Sequence, residues 1–137
     1  MKTSELIGTA LDWAVELAKG TSWSDKGYFV FKNPDGTTRA VSSRPEWCYS
    51  TDWSQGGPIM DREDIDSFVV KEAGVTESGA EVLRKIGWKA WISPSAYWMS
   101  KRFISEGETR LIAAMRCLVA SKLGDEVEIP QEILTQS

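Results

Sequence analysis

Apolar residues recur at Leu6, Ala10, Trp13, Ala14 and Leu17, with Asp12, Glu16 and Lys19 on the opposite side. Steps of three and four predict an amphipathic helix over Leu6–Lys19, with Thr3 or Ser4 able to cap its start and Gly20 its end. A longer stripe, Leu111, Met115, Leu118 and Lys122 with Ile112, Val119 and Leu123 beside it, predicts a second helix over Glu108–Leu123. Ala113, Ala114 and Ala120 add propensity, and Gly124 is the expected stop. The middle of the chain has a different period. Tyr28–Phe31 and Thr37–Val41 flank Asn33-Pro34-Asp35-Gly36, which predicts a hairpin. Ser67–Lys71 reads as a short strand, Ala73–Gly79 as a loop, and Ala80–Ile86 as a short helix stopped by Gly87. In Trp88–Ile92, Trp88, Ala90 and Ile92 alternate with Lys89 and Trp91, which suits a strand ending before Pro94. Ser95–Gly107 fits strand or loop, and Lys101-Arg102 is its most basic spot. Asp125–Ile129 reads as extended, with Pro130 interrupting it. These elements predict one α+β domain over residues 1–137, two terminal amphipathic helices packed on a small, mainly antiparallel sheet.

Composition narrows the function classes. The chain is 42% hydrophobic and 26% charged, ordinary for a globular domain. Its net charge of -4 argues against nonspecific nucleic-acid binding, which needs a basic field. Histidine is absent, which removes Ser-His-Asp and Cys-His catalysis and every histidine-dependent zinc site. Cys48 and Cys117 lack CxxC spacing and read as two reduced thiols. Asp61-Arg62-Glu63-Asp64-Ile65-Asp66 gathers four carboxylates; a solvated turn or short helix is the better reading than a Mg²⁺ site. No metal and no cofactor are therefore expected. The start, Met1-Lys2-Thr3-Ser4-Glu5, does not resemble a secretory signal, and no apolar run reaches membrane-spanning length, so a cytoplasmic protein is expected.

Chemistry concentrates in Tyr49-Ser50-Thr51-Asp52-Trp53-Ser54-Gln55-Gly56-Gly57-Pro58. Gly56 and Gly57 permit close approach, and Pro58 restricts the backbone. This predicts an ordered, non-repetitive loop rich in polar groups, where binding chemistry often sits. An alternative with equal weight is a tight turn in which Asp52 accepts turn amides and Trp53 fills the core. The expected ligand-binding set is Tyr49, Ser50, Thr51, Asp52, Trp53, Gln55, Gly56, Gly57 and Arg62. Trp13 and Arg116, each at the shoulder of a helical apolar arc, would reach the same cleft. Seven tryptophans in 137 residues exceed what a small core hides comfortably, because each indole N–H needs a partner. Trp13, Trp23, Trp47, Trp53, Trp88, Trp91 and Trp98 therefore divide between core filler and stacking or interface roles.

Three blocks resemble the NinX-like family of small phage and prophage proteins. They are Leu6–Val15, Tyr49–Ile59, and Leu111–Cys117 continued by Val119–Pro130. The chain departs from the family pattern at Glu106-Gly107-Glu108-Thr109-Arg110, where a Gly/Pro-rich lead is usual, and Val69–Ile104 carries no family motif. The resemblance implies a phage accessory protein and supplies neither a reaction nor catalytic residues. Two functions are expected from it and from the residues together. One is non-enzymatic binding of a nucleotide-like ligand, pictured as a sponge for a host immune signal by analogy of setting alone. In it Trp and Tyr stack on a base, Arg62, Arg116 or Lys101 meet phosphate, and Asp52 or Gln55 read polar edges. The other is a module that inhibits or regulates a host or phage protein through tryptophan hot spots. A carboxylate enzyme using Asp52 with Asp61 or Glu63 ranks behind both. The sequence sets no oligomeric state and is compatible with a homo-oligomer.

Overall fold

The computed structural model describes residues 1–24, 28–41, 48–92 and 103–135. Among these residues, four α-helices and two three-stranded antiparallel sheets make an α+β fold. Helix α1 (Gly8–Ala18) follows a short 3-10 turn at Thr3–Glu5. It begins two residues later than its apolar stripe and has no side-chain cap. Thr3 is used elsewhere: its hydroxyl donates to the Gly124 carbonyl at 2.7 Å. The first sheet, β1 (Ser22–Trp23), β2 (Phe29–Lys32) and β3 (Thr38–Val41), contains the expected hairpin around Asn33–Gly36. It also adds β1, which the sequence pattern did not suggest.

Helix α2 (Trp53–Arg62) corrects the expected loop. Asp52 is its N-cap, and Gly56, Gly57 and Pro58 lie inside it. The cap supplies the start, while Gly56 lets the helix pass very close to its neighbours. A Cβ on Gly56 would stand 2.3 Å from the Tyr49 carbonyl oxygen and 2.7 Å from a Leu111 methyl carbon. Propensity penalties for glycine and proline are thus overridden by packing.

The second sheet holds β4 (Asp66–Val75), β5 (Glu81–Ile92) and β6 (Phe103–Gly107) in that order. The helix expected at Ala80–Ile86 is instead the first half of β5, and part of the loop expected at Ala73–Gly79 belongs to β4. Cross-strand pairing of Lys71 to Val75 with Lys85 to Glu81 overrides local helix preference. A bulge between Val70 and Lys71 leaves Ile86 as the extra residue on β5. Beyond it, β4 and β5 run on as a two-stranded arm.

Helix α3 (Arg110–Leu123) is the centre of the molecule. The Thr109 hydroxyl caps it by accepting from the Ile112 amide at 3.2 Å. Gly124 ends it at φ 93, a left-handed value that glycine takes without strain. Leu111–Met115 and Cys117–Val119 are buried against the second sheet, α1 and α2. Trp88, Ala90 and Ile92 face this core, as their alternation predicts. A last helix, α4 (Gln131–Leu134), packs on α1 through the buried Ile133. The chain ends are clasped: the Val127 amide donates to the Met1 carbonyl at 2.9 Å, and the Thr3 amide to that of Asp125 at 2.8 Å. Trp47, Trp98, Lys101 and the segment around Pro94 lie outside the described residues.

Candidate functional site

The polar residues ahead of α2 are engaged with α1. Asp12 and Glu16, expected on its solvent side, are buried. The Tyr49 hydroxyl donates to Glu16 Oε2. Lys19 Nζ donates to the Tyr49 hydroxyl at 3.1 Å and lies 4.9 Å from the ring centroid. The Ser50 amide donates to Asp12 Oδ1 at 2.9 Å. Burial raises the Asp12 carboxyl above its ordinary value, opposed by the Ser50 hydroxyl and amide beside it. Burial, then the Glu16 hydrogen bond and the charges of Glu16 and Asp12, push the Tyr49 phenol well above its usual 10.0. Two carboxylates four residues apart on one helix face were the available signal, and two partners with hydroxyls in the central block supply their counterpart.

The next residues build the helix start. Asp52 Oδ1 accepts from the Ser54 amide at 2.9 Å and its hydroxyl at 2.7 Å, and these bonds lower the exposed Asp52 carboxyl. Gln55 Oε1 accepts from the Cys48 amide at 2.7 Å. Thr51 is exposed. Arg62 is exposed and pairs with Glu63 at 3.6 Å. Trp13 is buried against Trp23 and Phe29, at centroid distances of 5.6 and 5.9 Å, and its indole nitrogen has no hydrogen-bond partner among the described residues. Arg116 bridges two segments, donating through Nε to the Leu6 carbonyl and through Nη1 to that of Glu106, both at 2.8 Å. Its burial disfavours the charge, partly offset by Glu108. The expected residues therefore divide among several places.

Two of them, Trp53 and Gly57, line an open groove of about 550 Å³ with Met60, Asp61, Asp66 and Arg110. Trp53 is 52% exposed. The Arg110 guanidinium carbon lies 5.9 Å from the Trp53 ring and 4.2 Å from Trp88, and Lys85 Nζ lies 4.6 Å from Trp88 on its own account. Trp53, Arg110, Trp88 and Lys85 thus form a ladder of alternating rings and cations from α2 to the base of the β4–β5 arm. Arg110 is the first residue of α3, where the helix dipole disfavours a cation. Stacking between two indoles and the nearby Asp61 and Asp66 offset that. Sequence reading missed Arg110 and the ladder, because no periodicity links residues 53, 88 and 110.

The arm carries the second unusual feature. Every residue from Val75 to Ile86 is exposed, including Val75 at 61%, Leu83 at 70% and Ile86 at 55%. Phe68 and Ile104, on the outer face of the same sheet, are also exposed, with Phe68 against Trp91 at a centroid distance of 5.4 Å.

Among the described residues, no three Asp, Glu or Cys side chains converge to hold a metal ion. The Cys117 thiol donates to the Phe103 carbonyl at 3.0 Å, and burial pushes it up to about 12. No described helix is long and apolar enough to cross a membrane. The fold and these surfaces define a small α+β protein whose unusual chemistry lies on a partly buried Trp/Arg ladder and an exposed arm. The chain belongs to the NinX family of bacteriophage P22, whose sequence model matches residues 2–122. No curated protein sequence matches it.

Proposed function

We propose that this phage accessory protein is non-enzymatic and acts by binding a protein partner through the β4–β5 arm and the adjoining Trp53–Arg110–Trp88–Lys85 ladder. The observation that carries the reading is the arm itself. A two-stranded ribbon is marginal alone in water, yet this one displays Val75, Val82, Leu83 and Ile86. Exposed apolar surface leading into a Trp/Arg cluster is the composition of interface hot spots. The nucleotide-like ligand reading keeps one support, the half-exposed Trp53 face beside Arg110. Its phosphate arm is weakened, because Asp61, Asp64 and Asp66 line the same groove and Arg116 is spent on backbone carbonyls.

A photoreactive residue in place of Leu83 tests the proposal in phage-producing cells, with the same residue in place of Thr135 as control. The expected result is one defined polypeptide adduct from position 83, abolished when Val75→Glu is added, and none from position 135. No adduct from position 83, together with nucleotide-dependent quenching of fluorescence that disappears in Trp53→Ala, would overturn it in favour of the ligand.

A further inference from the structure

We infer that the inner face of the β4–β5 arm pairs with the same face of a second copy of this chain, the two arms running antiparallel. The inference rests on the reading of the arm as an interaction surface and names the occupant.

Register fixes which residues share the face. Lys71 stands opposite Lys85, Ala73 opposite Leu83, and Val75 opposite Glu81. Directly opposed residues share a face, and every second residue of β4 returns to it. The face therefore continues the row of Ser67 and Val69, which lies opposite the core-facing Ala90 and Trp88. Lys85 leaning on the Trp88 ring agrees with this. Over the sheet body α3 covers the face; along the arm Leu83, Val75 and Ala73 are all exposed.

Charge on this face is arranged along the arm. Two lysines, Lys71 and Lys85, mark its base, Ala73 and Leu83 its middle, and Glu81 its distal end, with Glu77 in the turn beyond. A two-fold axis through the Ala73–Leu83 pair therefore brings each basic base onto the partner's acidic end and each apolar middle onto its equivalent. This is the self-complementarity an isologous interface requires. A basic or an acidic foreign partner would match only half of the face. The arm also has no net charge: Lys71, Arg84 and Lys85 balance Glu72, Glu77 and Glu81, whereas the whole chain carries -4. Two copies can meet there without the repulsion the rest of their surfaces would impose.

The test is sedimentation equilibrium of the purified full chain over a wide concentration range. A dimer is expected, with its dissociation constant raised roughly tenfold or more by Leu83→Glu, which opposes two carboxylates at the axis. Ala73→Glu, on the other strand of the axial pair, serves as a second variant. A charge swap tests the orientation. Lys71→Glu with Lys85→Glu forms one variant, and Glu81→Lys with Glu77→Lys the other. Each alone should self-associate weakly, because like charges then meet at both ends. Their equimolar mixture should regain wild-type affinity, because opposite charges meet at both ends again. A chain that is monomeric throughout, a dimer insensitive to both glutamate variants, or a mixture no tighter than its components would each overturn the inference. A monomer that still yields a foreign polypeptide adduct at position 83 would do so while leaving the interaction reading standing. A dimer with no adduct at that position would place the contact elsewhere and count against both.

Discussion

Tyr49 shows how a residue suited to ligand binding is drawn into structure. Its ring and hydroxyl are held between Lys19 and Glu16, and its burial leaves no face for stacking. The hydroxyl donates to a carboxylate that would otherwise be buried with Lys19 as its remaining partner. Tyr49→Phe should therefore cost about 1.5–3 kcal/mol, the usual worth of a hydrogen bond to a charged group. The pH dependence gives a sharper test. The folded phenol titrates above its ordinary 10.0, so the unfolded chain loses this proton first. The stability it contributes is fully present below about pH 10 and declines as pH rises toward the folded value. Urea titrations of both proteins from pH 8 upward should show the wild type losing stability more steeply above pH 10, and the difference between the two shrinking. Parallel curves would show that Glu16 does not depend on this hydroxyl. Asp52 is a similar case, with its carboxylate committed to Ser54 at the helix start. The Asp52 outcome follows the structural alternative weighed for that block in the sequence, whereas Trp53, which that alternative put in the core, is 52% exposed.

At the scale of elements, what the sequence revealed depended on which force set each one. Helices α1 and α3 were legible because their apolar residues recur at helical spacing, although the burial of Asp12 and Glu16 in α1 left no such mark. The β2–β3 hairpin was legible because Asn33–Gly36 has the chemistry of its turn. Helix α2 was hidden: Gly56-Gly57-Pro58 argues against a helix, and the reason for Gly56 is a contact with Leu111, 55 positions later. The first half of β5 was hidden for the opposite reason. Ala80–Ile86 contains good helix formers, and only pairing with β4 makes it a strand. The Trp53–Arg110–Trp88 ladder joins three elements and leaves no local mark. The two glycines of α2 separate these causes experimentally. Gly57 has open surroundings, its nearest neighbour to an added Cβ being Trp53 at 3.6 Å. Gly57→Ala should therefore stabilise by about 0.5–1 kcal/mol through helix propensity. Gly56→Ala would drive a methyl into the Tyr49 carbonyl and should cost at least about 1–3 kcal/mol. Thermal melts of the two variants should move in opposite directions; equal shifts would mean that α2 does not approach α3 as closely as 56 and 111 imply.

The whole molecule divides into a body built around α3 and an exposed arm beyond the bulge. The body is tied around α3, and its ends are tied to each other. Met1 and Thr3 bond to Val127 and Asp125, Thr3 reaches Gly124, and Ile133 seals α1 from the C-terminal side. The family match stops at residue 122, just before this clasp. The clasp is nonetheless structural, since Val127 and Ile133 are buried hydrophobics and each contributes about 1.5–3 kcal/mol on burial. The arm is the reverse case: from Val75 to Ile86 every residue is exposed. Two excisions therefore have opposite expected effects. Joining Lys71 to Lys85, which already face each other across the ladder, through a two-residue Asn-Gly turn should leave the dilute protein's stability in urea within roughly 1 kcal/mol of the full chain. Removing residues 124–137 should lower it by about 3 kcal/mol or more, because both buried anchors and the N-terminal bonds go together. If excising the arm unfolded the protein, the exposed apolar residues would be stabilising the body by a route their exposure does not explain, and an interaction role for them would lose its basis. If the excised protein folds as well as the parent, the arm's apolar residues contribute nothing to the monomer that retains them, and their contribution must be to what the monomer meets.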